Sequence, residues 1–201
     1  MIDRKSKSAR VTRRPAFPPE RPVLRADAEL NRGRLLEAAR WVVINRGIDF
    51  DVSEVASRAE VGRGTVYRNF ATKDGIIETV VAEICDDFEQ FISGALEESD
   101  AKKAFQELIE DQWEFSLRYA HVKPEVRARI YDMVQSRPVW REIQRIVESA
   151  RESGIIDKNF STGFILKAIT SLAMMGLRPR ESKKEMRELS TKLLTSGFFV
   201  R

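Results

Sequence analysis

The chain is poor in the side chains that most often do chemistry. Of its 201 residues, one is histidine and one is cysteine. A lone cysteine, Cys85, excludes a disulfide within the chain and suits a reducing compartment, so a cytoplasmic location is expected. Its apolar neighbours mark it as a small buried hydrophobe. His121, with no cysteine cluster to join it, offers no metal site of the usual ligand spacing, and neither a metal nor a cofactor is expected. No phosphate loop and no nucleophile motif occurs, so no catalytic residue is assigned and an enzyme is not expected. No apolar run reaches the roughly 18 residues of a membrane span, and the longest, Gly163 to Leu177, is interrupted by Lys167. The charged N-terminus is not followed by the apolar stretch of a secretory signal. Strand-like alternation and repeats of solenoid period are missing too. These absences leave an all-α protein of one or two domains.

What is there is first a split of charge. Residues 1–27 hold eight basic and three acidic residues, net +5, whereas residues 28–201 hold 27 basic and 28 acidic ones, net −1. Positive charge gathered in a short arm on a near-neutral body points to a polyanionic partner. With Pro15, Pro18, Pro19 and Pro22 and no helical period, residues 1–27 read as an extended, disordered arm. Arg10, Arg13 and Arg14 are its candidate DNA contacts, lying in a minor groove.

From Ala28 the apolar residues recur at helical spacing. Leu35, Leu36, Ala39, Val42 and Val43 give a first helix that Gly47 stops. Asp51 and Glu54 have the spacing of a capping box and open a short second helix. A turn at Glu60-Val61-Gly62 leads to a third, Arg63 to Asn69. Thr72 caps a long fourth helix whose stripe runs through Ile77, Val81, Ile84, Phe88 and Ile92. Five more are predicted: from Asp100 to about Tyr119, from Pro124, from Pro138 to about Gly154, from Ser161 to about Gly176, and from Ser182. The total is nine, three in a small head and six in a body. The acidic pairs Asp86-Asp87 and Glu97-Glu98 look like solvated helix faces.

Two short helices joined by a tight turn cross steeply, and the second can project into the major groove of B-DNA. Here Val66 and Phe70 can pack inward, which turns Arg63, Thr65, Tyr67, Arg68 and Asn69 outward. That set holds two guanidiniums, a hydroxyl, a phenol and an amide, and no carboxylate. Gly64 costs about 1 kcal/mol in a helix relative to alanine, and close approach of the helix N-terminus to a phosphate would require it.

The block from Arg34 to Ile77 resembles the DNA-binding head of the tetracycline-repressor (TetR) family. It carries R-L-L-E-A-A, then Gly47, then V-S-E-V-A-S-R-A-E-V-G-R-G-T-V-Y-R-N-F, then A-T-K-D. It departs from the family's pattern where Glu60 replaces a usual glycine, Gly62 a usual serine cap, and Gly75 the usual residue early in the fourth helix. The resemblance implies that Thr65 and Tyr67 contact phosphates and that Arg63 and Arg68 reach phosphates or base edges. Lys73 would bind a phosphate at the start of the fourth helix. It further implies an all-α, two-domain architecture: residues 28–75 as the helix-turn-helix head, and 76–201 as a body that binds a ligand and dimerises. The expected function is a sequence-specific transcriptional regulator, a repressor released from a pseudo-palindromic double-stranded operator by a small apolar or amphipathic effector. A helix-turn-helix regulator controlled by a protein partner or unliganded, or a helical protein-interaction adaptor, are the alternatives.

In the body, Ile165, Ala168, Ile169, Leu172, Ala173 and Gly176 line one side of the Ser161 helix, and Leu189 and Leu193 fall in the last helix. Such surfaces suit a four-helix homodimer interface. Phe105, Gln112, Trp113, Tyr119, Tyr131 and Trp140 put aromatic rings beside polar groups and are the candidate ligand pocket.

Overall fold

Capping chemistry sets most of the helix boundaries. In the computed structural model, which describes residues 22–175 and their side chains over 30–171, the helices are α1 (Pro22–Arg46), α2 (Val52–Arg58), α3 (Arg63–Phe70), α4 (Lys73–Phe91), α5 (Ser93–Glu97), α6 (Ala101–Arg118), α7 (Pro124–Ser136), α8 (Val139–Glu152) and α9 (Thr162–Met175). Among the described residues there is no β-strand, and no helix is long and apolar enough to cross a membrane. Asp51 makes the full capping box with Glu54: its carboxylate accepts from the Ser53 backbone N–H at 2.7 Å, and the Asp51 N–H donates to Glu54 Oε1 at 3.2 Å. Thr72 caps α4 by accepting from the Gly75 N–H at 2.9 Å. Asp100 caps α6 through the Lys103 N–H.

The helices differ from the sequence expectation in three places. Helix α1 begins at Pro22, not Ala28, so the last residues of the expected arm are helical. Proline at the first helical position gives up an N–H that would have no partner there and arrives with φ already near its helical value. Next, α4 ends at Phe91 because Ile92, at φ −90° and ψ 5°, breaks the helix, and the short α5 follows it. The nine described helices therefore include α5, which the apolar pattern hid, while the expected helix from Ser182 lies outside the described residues. Last, Pro138 caps α8 instead of opening it.

One continuous apolar core runs through the molecule, from Leu35 and Val43 on α1, past Val55 and Val66, along Ile77, Val80 and Ile84 of α4, to Ile130, Ile143 and Ile169. Helix α4, about 28 Å long at 1.5 Å per residue, is its spine: α1, α3, α6 and α7 all pack against it. Cys85 lies fully buried on α4, and burial pushes its thiol up to about 11, so it behaves as a hydrophobe.

Two turns in the head hold backbone conformations that ordinary residues avoid. Helix α2 ends in a Schellman motif, with Glu60 N–H donating to Ser57 O and Val61 N–H to Ala56 O. That motif puts its pivot residue in the left-handed region, and Glu60 sits there at φ 55°. Between α3 and α4, Ala71 has φ 59° and ψ −51°, and the Thr72 N–H reaches back to Phe70 O at 2.6 Å. This is the γ-turn of the strained hand. Gly75 packs under it, because a Cβ there would fall 2.2 Å from Phe70 O. The departures at Glu60 and Gly75 thus have opposite meanings. Glu60 is strained, whereas Gly75 is required by the turn above it. Glu60→Gly is expected to raise unfolding free energy by about 0.5–1 kcal/mol, and Gly75→Ala to lower it. Urea denaturation at one temperature checks both signs.

Candidate DNA interface and body cavity

The second helix of the head presents the surface expected of a groove reader. Val52, Val55 and Ala56 bury the inner side of α2, and Val66, fully buried, fixes α3 against them. The rest of α3 is turned out: Arg63, Gly64, Tyr67, Arg68 and Asn69 are exposed and Thr65 half-buried. Tyr67 is 42% exposed and presents its hydroxyl on the same outward face. Gly62 caps α3 with no side chain over the helix end, and a Cβ on Gly62 or Gly64 would meet nothing within 4 Å. The N-terminal N–H groups of α3 are therefore open to an approaching phosphate.

The outward side chains are partly organised in the free protein. Arg68 Nη2 donates to Thr65 Oγ1 at 2.9 Å, and Asn69 Nδ2 donates to Thr65 O at 2.8 Å. The helix itself carries no carboxylate, but Asp51, at the N-terminus of α2, approaches Arg63 to 3.9 Å. Hydrogen bonds from Ser53, then the charges of Arg63 and Lys73, hold Asp51 below the usual carboxylate range. Lys73 lies at the first position of α4 with its ammonium 4.9 Å from the Phe50 ring centroid. It is half-buried and so packs as well as presents charge. Arg10, Arg13 and Arg14 lie outside the described residues.

In the body, α4, α6, α7, α8 and α9 line a partly open cavity of about 90 Å³ whose walls include Phe88, Phe115, Ile130, Val134, Ile143 and Leu166. Of the side chains expected there, Gln112, Tyr119, Tyr131 and Trp140 line it. Phe105 and Trp113 do not. Both are buried core residues, on turns of α6 that pack against protein. Aromatic identity at helical spacing did not tell a cavity wall from a filled core. The side chain that sequence reasoning missed is Arg127. It had a visible signal: it precedes Ile130, Tyr131 and Val134 at spacings of three, four and seven on α7, a charge within an apolar stripe.

The cavity wall is tied to the head through one carboxylate. Tyr119 donates its hydroxyl to Asp87 Oδ2 at 2.5 Å and accepts from Arg40 Nη2 at 2.6 Å. Arg40, on α1, also binds Asp87 directly and lies 3.7 Å from Glu83. Burial alone would raise the Asp87 carboxyl, but the bonds from Tyr119 and Arg40 outweigh it and hold it below its ordinary range. Burial, with the bond to Asp87, pushes the Tyr119 phenol up to about 12. Asp86 is likewise engaged, at 2.6 Å from Arg137. Of the pair expected to be a solvated face, Asp87 is thus bound up in the packing of α1, α4 and α6, whereas Asp86 stays exposed while it pairs with Arg137. Acidic residues flanking an apolar stripe look alike in sequence whether they face water or an arginine on a neighbouring helix.

Comparison with known proteins agrees with this geometry. Residues 35–80, from the buried face of α1 to the first turns of α4, match the family model described as bacterial regulatory proteins, tetR family. The chain carries a TetR-family head over that segment. Its fold is shared by the ketosteroid transcriptional regulator KstR2 of Mycobacterium tuberculosis, at 15% identity and a TM-score of 0.65 over 85% of this chain and 95% of that one. It is shared by the fatty acid degradation regulator FadR of Bacillus halodurans, at 16% identity and a TM-score of 0.63 over 85% and 97%. A tetR-family regulatory protein from Rhodococcus RHA1 aligns at 18% identity and a TM-score of 0.67 over 85% and 98%. The matched segment is the helix-turn-helix head, and the fold of the whole is that of these transcription regulators.

TetR-family regulators act as dimers, and here the expected interface residues divide. Ile165 and Ile169 are buried within the subunit and Ala168 is half-buried against the same core. The α9 stripe is thus spent on α6 and α8. Periodicity reveals an apolar face but not which neighbour covers it. The outer side of α9 instead carries Phe164, 53% exposed and stacked on Phe160 at 5.4 Å, with Lys167 and Ser171. The side chains of Leu172 and Ala173, and all of Gly176, Leu189 and Leu193, lie outside the described residues.

The exposed face of α3 makes a direct prediction for this TetR-family head. Arg68→Ala should weaken binding to a selected operator by about 1–3 kcal/mol if the guanidinium meets a base, with a smaller loss on random DNA. Tyr67→Phe should weaken both alike, as loss of a phosphate contact does. Fluorescence anisotropy on the two DNAs at one salt concentration separates the effects. Undiminished operator binding by the Arg63/Tyr67/Arg68 triple alanine variant would exclude α3 as the DNA-contacting element.

Proposed function

We propose that the chain is a repressor that grips a pseudo-palindromic operator as a homodimer and is released when a small apolar or amphipathic effector enters the body cavity. The observation that carries this is the double role of Tyr119. Its ring forms part of the cavity wall, beside Phe115 at 4.6 Å, while its hydroxyl holds Asp87 and Arg40. An effector that moves the ring stretches a bond anchored on α1. Each head is then free to change its angle, and with it the spacing of two α3 helices on DNA. A second tie works in the same sense, because Arg129 of α7 reaches Asp74 in the first turn of α4 at 3.5 Å. The apolar walls suit the proposed effector class. KstR2 and FadR are named for ketosteroids and for fatty acid degradation, which is consistent with such walls in a related fold.

An effector acts only if it binds the two states with different affinity. A thermal-shift screen of small amphipaths identifies cavity binders, and operator affinity is then measured with and without the best of them. In wild type, operator affinity should fall at least about tenfold, a coupling of roughly 1.4 kcal/mol. In Tyr119→Phe, which keeps the ring and loses the hydroxyl, the melting shift should persist while the fall in operator affinity shrinks. Compounds that stabilise the wild-type protein and leave its operator affinity unchanged would refute effector release.

A further inference from the structure

The half-buried arginines of the described residues follow a rule with one exception. Arg40 is paired with Asp87, Arg129 with Asp74, Arg137 with Asp86 and Glu89, and Arg151 with Glu148. Arg127 is half-buried as well and makes no ion pair or hydrogen bond among the described residues. No nitrogen of Arg127 is both buried and unpartnered, so the guanidinium keeps contact with water and is open to an incoming acceptor. Arg127 is also the one charged side chain among the residues lining the cavity.

The other polar groups on the wall are largely committed. Gln112 donates to Ser116 at 3.4 Å, Thr170 donates to Leu166 O at 3.0 Å, and the Tyr119 hydroxyl is held by Arg40 and Asp87. Tyr131 lies four residues beyond Arg127, on the same side of α7, and lines the cavity with it. Its ring rests edge-on to Trp140 at 6.2 Å. The phenol and the guanidinium thus supply two donors from one side of α7 to a chamber with mostly apolar walls. Among the described residues no carboxylate lines that chamber, so a cationic ligand would find no counter-charge from them.

We propose that the cavity takes an amphipathic carboxylate, its head accepting hydrogen bonds from Arg127, with Tyr131 as the second donor, and its hydrocarbon part against Phe88, Phe115, Ile143 and Leu166. The proposal rests on the cavity being the effector site and specifies the chemistry of what enters it. A carboxylate matches the planar fork of a guanidinium in a way that a neutral hydroxyl does not. In an apolar surrounding that match discriminates strongly, because the competing alcohol leaves the cation without a counter-charge.

Matched pairs differing only at the head test this: octanoate with octanol, and dodecanoate with dodecanol, titrated calorimetrically into the full chain. At least one acid should bind wild type about tenfold or more tightly than its alcohol, as expected for a hydrogen-bonded charge pair. Arg127→Gln should lose that preference and retain alcohol binding, and Arg127→Lys should recover part of it. Tyr131→Phe should lower acid affinity by a smaller factor. Should Arg127→Gln not fold, the acid-to-alcohol ratio of the wild-type protein decides alone. Equal binding of acid and alcohol to wild type would overturn the carboxylate proposal while leaving the cavity as an effector site. Binding of no pair member would overturn it too, and whether the operator responds to any other cavity binder would then judge the effector reading separately.

Discussion

Asp87 accepts hydrogen bonds from two donors that belong to different parts of the molecule. Arg40 comes from α1 of the DNA-binding head, and Tyr119 from the wall of the body cavity. Arg40 also donates to the Tyr119 oxygen, so the three groups close a triangle, and Glu83 lies near the outer side of the arginine. Each donor leans on the same charge, and removing any one leaves the others with an unbalanced partner in a half-buried setting. The direct packing of head on body comes from a core that runs without a break from Leu35 to Ile169. Apolar packing tolerates small slides of one helix on another. A charged hydrogen-bonded node does not, and it therefore sets the angle at which α1 meets α4.

The other end of α4 is set differently. There the strained turn at Ala71, the close approach of Gly75 to Phe70 O and the Thr72 cap fix how α3 enters α4. A stiff turn at the DNA end and a polar node about four helical turns along α4 make the helix a lever with defined attachments. Displacement at the cavity can then reach α3 through rigid parts, without a chain of intermediate side chains.

Much of this was legible in the sequence, for physical reasons that differ by element. Caps are local chemistry, so Asp51 with Glu54 and Thr72 could be placed to the residue. The outward face of α3 followed from Val66 and Phe70, because two inward residues four apart on an eight-residue helix fix the orientation of the rest. Glu60 could be named as a departure from the family's pattern, though only the backbone shows that it bears the left-handed pivot of a Schellman turn. Long-range pairing was not legible. Nothing local distinguishes Asp87, which meets an arginine 47 residues away, from a solvated acid. The same limit explains Phe105 and Trp113, taken for cavity wall but packed into the core, and Ile165 and Ile169, taken for a dimer face but covered by their own subunit. Arg127 stands between these cases, since its place in an apolar stripe was visible and only the absence of a carboxylate opposite it was not.

The node at Asp87 is tested most directly by hydrogen–deuterium exchange on Tyr119→Phe, with no effector and no DNA present. If the node holds α1, losing a hydroxyl in the body should speed exchange of α1 amides around Arg40 by about fivefold, the equivalent of roughly 1 kcal/mol of local opening. Faster exchange confined to the end of α6, with α1 protected as in wild type, would show that the head does not depend on the cavity wall.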